Sequence, residues 1–282
     1  MNKTMMIVSG VVAGLSLTAA ASATFHLMQI EQVIGSVNGD NTAQAIQLRM
    51  RAGTQNFVGQ SRLVAFDASG ANPIVVMDIP SNVANSGAGV RVLVSTANFN
   101  ALTAPACTPD FVMTTPIPAS YFNGGKLVFE NDTSTLIAWN LAWGGANYTG
   151  TNTGATFNDA DGNFNPPFAS ALPSSGYAAI HYTGTATGVS TTNAADYELT
   201  GDTTTWTNNG GASFTLTPPG SPCPGDVANN DGMVDVDDLN AILSAFGTSV
   251  GVGDPRDTAN GDGFVDVDDL NVILANFGNT CP

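Results

Sequence analysis

The chain has 282 residues and a formal net charge of -16, with seven Lys plus Arg against 23 Asp plus Glu; 43% of residues are hydrophobic and 11% charged. So few cations exclude the positive face that nucleic acid requires, and so much apolar content excludes general disorder. The abundance of Gly, Thr, Asn, Ser and Ala suits a β-rich extracellular protein with an uncharged polar surface, and suits a cytosolic enzyme poorly.

Residues 1–23 read as a signal peptide. Lys3 supplies a positive start, residues 5–20 are mostly apolar, and Ala21-Ser22-Ala23 is a small-x-small cleavage site. The mature chain is expected to begin at Thr24 and to be secreted or cell-surface associated. No later stretch reaches the roughly 20 apolar residues of a membrane span.

Residues 24–217 read as strands and turns. Ile46, Leu48 and Met50 alternate with Gln47, Arg49 and Arg51, which predicts a half-buried strand. Val90, Val92 and Val94 alternate in the same way. Segments 74–79, 126–130, 136–143, 177–182 and 213–217 are further candidates, separated by Gly, Asn, Asp and Pro. Such a series predicts a β-sandwich, and the lack of intervening helical patterns excludes a parallel α/β sheet. The order of elements across residues 43–98, with AIQLRM, an L..D..G turn and GVRVLVS, resembles lamin-tail-type sandwiches. That likeness implies an immunoglobulin-like fold without enzymatic activity.

Little in this region points to catalysis. His26 and His181 are the only histidines, and His181 sits in an apparent strand as a structural residue. Asp196 and Glu198 are two apart and are expected to share a strand face, the one faint pointer to a hydrolase carboxylate pair. Trp139, Trp143 and Tyr148 read as core and rim residues, with a sugar platform as the alternative. Residues 159–165, DADGNFN, read as a polar turn, with a further Ca²⁺ loop as the alternative. Residues 183–209 read as long surface loops or an irregular edge strand. Residues 218–222, PPGSP, form a stiff linker.

The acidity gathers beyond that linker. Residues 223–282 hold eleven Asp, no Glu and one Arg, a net charge of -10, which opposes compaction unless a cation intervenes. They also hold a duplication. GDVANNDGMVDVDDLNAILSAFG, from Gly225, and RDTANGDGFVDVDDLNVILANFG, from Arg256, are offset by 31 residues and identical at sixteen of twenty-three positions. Each copy is an Asp-, Asn- and Gly-rich loop followed by a short amphipathic helix. Leu239, Ile242, Leu243 and Phe246 fall on one helix face, and Leu270, Ile273, Leu274 and Phe277 repeat it. The two faces are expected to share a small core, with Gly247 and Gly278 as helix stops.

The loops carry the chemistry. With Asp231 at position 5 of an EF-hand-type loop, Gly232 falls at the bend, Asn229 at position 3, the Met233 carbonyl at 7, Asp235 at 9 and Asp238 at 12. The second copy places Asn260, Asp262, the Phe264 carbonyl, Asp266 and Asp269 equivalently. Hard oxygen donors at this spacing suit Ca²⁺ over zinc or Mg²⁺, so two Ca²⁺ ions are expected. Val234 is expected to bridge its counterpart Val265. These features resemble a dockerin type I domain of the cysteine-bracketed kind that ends many secreted bacterial proteins. The pattern departs from that family at position 1, where Val227 and Thr258 stand and the acids Asp226 and Asp257 lie one residue further out. Either the extra residue bulges and lets Asp226 and Asp257 reach the ion, or the first ligand is lost.

Cys223 and Cys281 bracket the duplication, and a disulfide between them is expected to stabilise so small a unit by about 4 kcal/mol. Cys107 is then left as a buried thiol. The fold expected is mainly β: an N-terminal sandwich over 24–217 and, over 223–282, a small α domain of two EF-hand-like loop-helix repeats. The resemblance implies a non-catalytic interaction protein that docks to a cohesin-like protein or a cell-surface scaffold. The alternatives are a carbohydrate-binding or adhesive protein with a glycan partner and, further off, a polysaccharide hydrolase.

Overall fold

The structure, a computed structural model, describes residues 25–217, 224–228, 231–251, 254–259 and 261–280. The signal segment, the linker, Asn229, Asn260, Cys223 and Cys281 lie outside the described residues.

The first part of the chain is mainly β. Its elements are β1 (Met28–Ile34), β2 (Ala45–Met50), β3 (Ser61–Phe66), β4 (Ile74–Asp78), β5 (Arg91–Ser95), α1 (Ala97–Ala101), β6 (Thr103–Ala104), β7 (Phe111–Val112), β8 (Gly125–Asn131) and β9 (Ile137–Trp143). There follow β10 (Ile180–Tyr182), α2 (Asn193–Asp196), β11 (Tyr197–Leu199), β12 (Thr204–Thr207) and β13 (Ser213–Leu216). Three sheets result, in the orders β11-β10-β1-β2-β5-β7, β4-β3-β8-β9 and β12-β13-β6. Pairing is antiparallel except between β5 and β7.

Alternation explains the layering. Ile46, Leu48 and Met50 of β2 and Val92 and Val94 of β5 share one core with Leu63 and Ala65 of β3, Leu127 and Phe129 of β8, and Trp139 and Leu141 of β9. On the other side of the six-stranded sheet, Ala45 and Leu93 join a second cluster with Phe99, Trp206, Phe214 and Leu216. The six-stranded sheet is therefore covered on both faces. This corrects the half-buried reading of β2, all six of whose residues are buried. Its polar residues are buried because they have partners. Gln47 Oε1 accepts the Thr207 N–H at 2.5 Å, and Arg49 donates to the Gly184 carbonyl at 2.8 Å.

Several elements escaped sequence reading, β1 and β3 among them. β1 carries a register shift between Ile30 and Gln32, which breaks its period of two. Residues 183–209, read as long surface loops or an irregular edge strand, contain α2 and the edge strands β11 and β12. There Trp206 packs edge-on against Phe99 at 5.2 Å between ring centroids.

The duplicated segment contains α3 (Val236–Ala245), β14 (Thr248–Ser249), β15 (Phe264–Val265) and α4 (Val267–Asn276). Asp235 and Asp266 cap the helices, each in a reciprocal capping box with Asp238 or Asp269. Gly247 and Gly278 follow the helices at φ of 76° and 83°, left-handed positions that favour glycine. Val234, Ile242, Ala245, Val265 and Ile273 form the core, with Leu239 and Leu270 packed partly against it.

Two expectations fail here. Leu243, Phe246, Leu274 and Phe277, read as core, are 46–55% exposed. Two ten-residue helices bury only the centre of each apolar row, because Val234 and Val265 already fill the space between them. Nor does Val234 pair with Val265. Each loop pairs instead with the chain leaving the other helix. The Gly278 N–H donates to the Val234 carbonyl and the Gly247 N–H to the Val265 carbonyl, both at 2.8 Å.

Candidate functional site

Each Asp-rich loop is closed by its last acid. Asp238 Oδ1 accepts the N–H groups of Val227 at 2.7 Å and Ala228 at 2.9 Å, and its Oδ2 accepts that of Asp235 at 2.9 Å. Asp269 does the same with Thr258, Ala259 and Asp266. Both carboxylates are buried. Burial alone would raise the Asp269 pKa, but the N–H donors of Asp266, Ala259 and Thr258 outweigh it and hold the group below its ordinary value. A carboxylate has about four lone-pair sites, so three donors leave each of these acids roughly one for a cation. These bonds join the start of each loop to the start of its helix.

Asp226 and Asp257 behave differently. The Oδ2 of Asp226 accepts the Gly232 N–H at 2.9 Å, and that of Asp257 accepts the Gly263 N–H at 2.7 Å. These bonds span the extra residue and turn each acid into its loop. The second oxygen of each, Asp226 Oδ1 and Asp257 Oδ1, is buried without a hydrogen-bond partner. Gly232 and Gly263 sit at φ of 80° and 82°, as the sharp bend requires.

The remaining candidates are placed as follows. Asp231 Oδ1 accepts the Met233 N–H and Asp262 Oδ1 the Phe264 N–H, both at 2.9 Å. Asp235 and Asp266 cap their helices by accepting the N–H of Asp237 and Asp268 at 2.8 Å. Met233 is bridged to Thr280, and Phe264 is paired with Ser249. Among the described residues, no three His, Cys, Asp or Glu side chains are grouped closely enough to hold a metal ion. The donor chemistry, all carboxylate, amide and carbonyl oxygen, fits a hard cation, and the two orphaned oxygens are where one would be pulled in.

In the large domain the aromatic platform is excluded. Trp139 and Trp143 are fully buried and Tyr148 nearly so. Trp139 Nε1 donates to the Tyr197 hydroxyl at 2.7 Å, which donates to the Ile30 carbonyl at 2.6 Å. The acid pair does not share a strand face either. Asp196 ends α2 and accepts from Ser190, Thr191 and Thr192, whereas Glu198 lies in β11. Cys107 is buried, and burial pushes its thiol up to about 11, so it stays protonated.

Sequence reasoning missed a buried ionic cluster on the six-stranded sheet. Glu31 is held by Arg49 at 2.8 Å, by Arg91 at 2.7 Å and 2.9 Å, and by Gln47 at 2.8 Å. The alternation of Arg49 and Arg91 was visible, but nothing in the chain order announced Glu31 as their shared partner.

Comparison with protein-family models, with curated proteins and with solved structures finds no match to the chain.

Proposed function

We propose that the chain is a secreted, non-catalytic interaction protein. In this reading residues 24–217 are an immunoglobulin-like sandwich carrying recognition or cargo. Residues 223–282 are a calcium-dependent, dockerin-like docking module of two EF-hand-like repeats. The observation that carries it is the recurrence, 31 residues apart, of a buried carboxylate oxygen without a donor, Asp226 Oδ1 and Asp257 Oδ1, inside loops of hard oxygen ligands. A buried unpaired carboxylate oxygen is costly, and the same cost twice over points to a missing cationic partner.

Asp226, Asn229, Asp231, the Met233 carbonyl, Asp235 and Asp238 would hold one ion. Asp257, Asn260, Asp262, the Phe264 carbonyl, Asp266 and Asp269 would hold the other. Bound calcium supplies the positive charge that lets these carboxylates stay close together. Asp238 and Asp269 keep each loop attached to its helix. The ordered helices then present Leu243, Phe246, Leu274 and Phe277, exposed apolar side chains in two repeated sets, to a partner. By the family resemblance that partner is a cohesin-like protein or a cell-surface scaffold.

Calcium titration of the full chain, followed by far-UV circular dichroism, tests the reading. Chelation is expected to remove helical signal and added calcium to restore it. A helical signal indifferent to both overturns it.

A further inference from the structure

The large domain buries another orphaned carboxylate, far along the chain from the duplicated loops. Asp159 is fully buried. Its Oδ1 accepts the Asp161 N–H at 3.0 Å and the Asn163 N–H at 2.9 Å, so the loop wraps around it. Its Oδ2 is buried with no hydrogen-bond partner. Asp161 and Asn163 follow at the spacing i+2 and i+4, both exposed, and Gly162 turns the loop between them at φ of 76°. Asp161 Oδ1 accepts the Asn163 N–H at 2.9 Å, and Asn163 Oδ1 accepts the Asn165 N–H at 3.3 Å.

The loop is tied down on both sides. The Ala160 N–H reaches the Ser190 carbonyl at 3.0 Å and the Ser190 N–H reaches the Asn158 carbonyl at 2.8 Å. Phe164 packs edge-on against the buried Trp139 at 5.5 Å. The nearby cation does not serve Asp159. Arg51 donates to the Phe157 carbonyl, to Asn158 Oδ1 and to the Thr187 carbonyl. A fully desolvated carboxylate oxygen, next to a second acid and without a counter-charge, is unfavourable unless a proton or a cation joins it.

We propose that residues 159–163 form a cation site for a hard divalent ion of the calcium class, with Asp159 Oδ2 as the buried ligand and Asp161 and Asn163 as ligands at its mouth. Two carboxylates and an amide leave the rest of a six- to eight-oxygen shell to backbone oxygens and water. The site is independent of the duplicated loops and does not rest on the docking reading.

Terbium, a hard ion that takes calcium sites, separates the two regions in the full chain. Residues 223–282 contain no Trp and no Tyr, whereas Trp139 lies against Phe164 of the loop. Trp-sensitised terbium emission therefore reports on the large domain. Saturable emission, displaced by calcium, is expected from the native protein. It should fall at least tenfold in Asp161→Asn, whose side chain is exposed and whose fold circular dichroism will verify, and persist in the Asp231→Asn, Asp262→Asn double variant. Absent emission from the native protein, or emission unchanged by Asp161→Asn, overturns the proposal. Neither result touches the helical response to calcium that tests the C-terminal module.

Discussion

Asp226 and Gly232 meet across a loop that is one residue longer than its pattern requires, the carboxylate Oδ2 accepting the glycine N–H at 2.9 Å. Asp257 and Gly263 repeat the contact at 2.7 Å. Both contacts fold the acid back into its own loop. On the proposed calcium-binding reading, Asp226→Ala and Asp257→Ala are each expected to weaken binding at their own loop by roughly tenfold or more, about 1.4 kcal/mol. Isothermal titration of the full chain measures this. Gly232→Ala places a Cβ at φ of 80° and should destabilise its loop by about 1 kcal/mol or more.

The helices of the duplicated segment separate core from surface within one apolar row. Ile242 is fully buried, while its neighbour Leu243 is 53% exposed. Ile242→Ala should cost about 2–4 kcal/mol, and Leu243→Ala no more than about 0.5 kcal/mol. Calcium-saturated thermal unfolding checks both. Equal losses would show that the second row is covered.

The Glu31 cluster makes a different prediction. Glu31→Gln removes the buried charge that pairs with the largely buried Arg49 and the half-buried Arg91, and is expected to destabilise the large domain by about 3 kcal/mol or more. Arg62 donates to Oε1 of the buried Glu130 at 2.7 Å, and Arg62→Ala, which leaves that carboxylate with the Ser134 hydroxyl, should cost about 1–3 kcal/mol. Chemical denaturation of both variants gives the comparison.

Both histidines have pKa values lowered from 6.5, chiefly by burial; at His181 the nearby Arg49 and Arg91 lower it further and Glu31 and Glu198 oppose them. A lowered histidine pKa means that the unfolded chain binds more protons just below pH 6.5. Stability is therefore complete above that value and declines as pH falls through it. Unfolding midpoints measured from pH 7.5 to 5.5 should fall, and His181→Gln should flatten the decline.

The duplicated segment was the most legible part of the chain. Both helices and both glycine stops are local features, each determined by neighbours in sequence. The main strands of the large domain were legible for the same reason, since alternation in β2 and β5 is a local pattern. What escaped was non-local. The bulge in β1 broke the period that would have revealed it. The burial of Gln47 depended on the β12–β13 hairpin, whose Thr207 lies 160 residues away, and that of Arg49 on the Gly184 carbonyl, 135 residues away.

The order of the residues thus determined that the protein is β-rich, acidic at one end, and equipped with paired loops of hard oxygen donors. Only the tertiary structure decided which oxygens are left without a donor. Asp226, Asp257 and Asp159 stand out in sequence only as loop acids, and nothing there marks one oxygen of each as buried without a donor. The supply of N–H groups around a buried carboxylate is set by how the chain turns and packs, and no linear pattern records it.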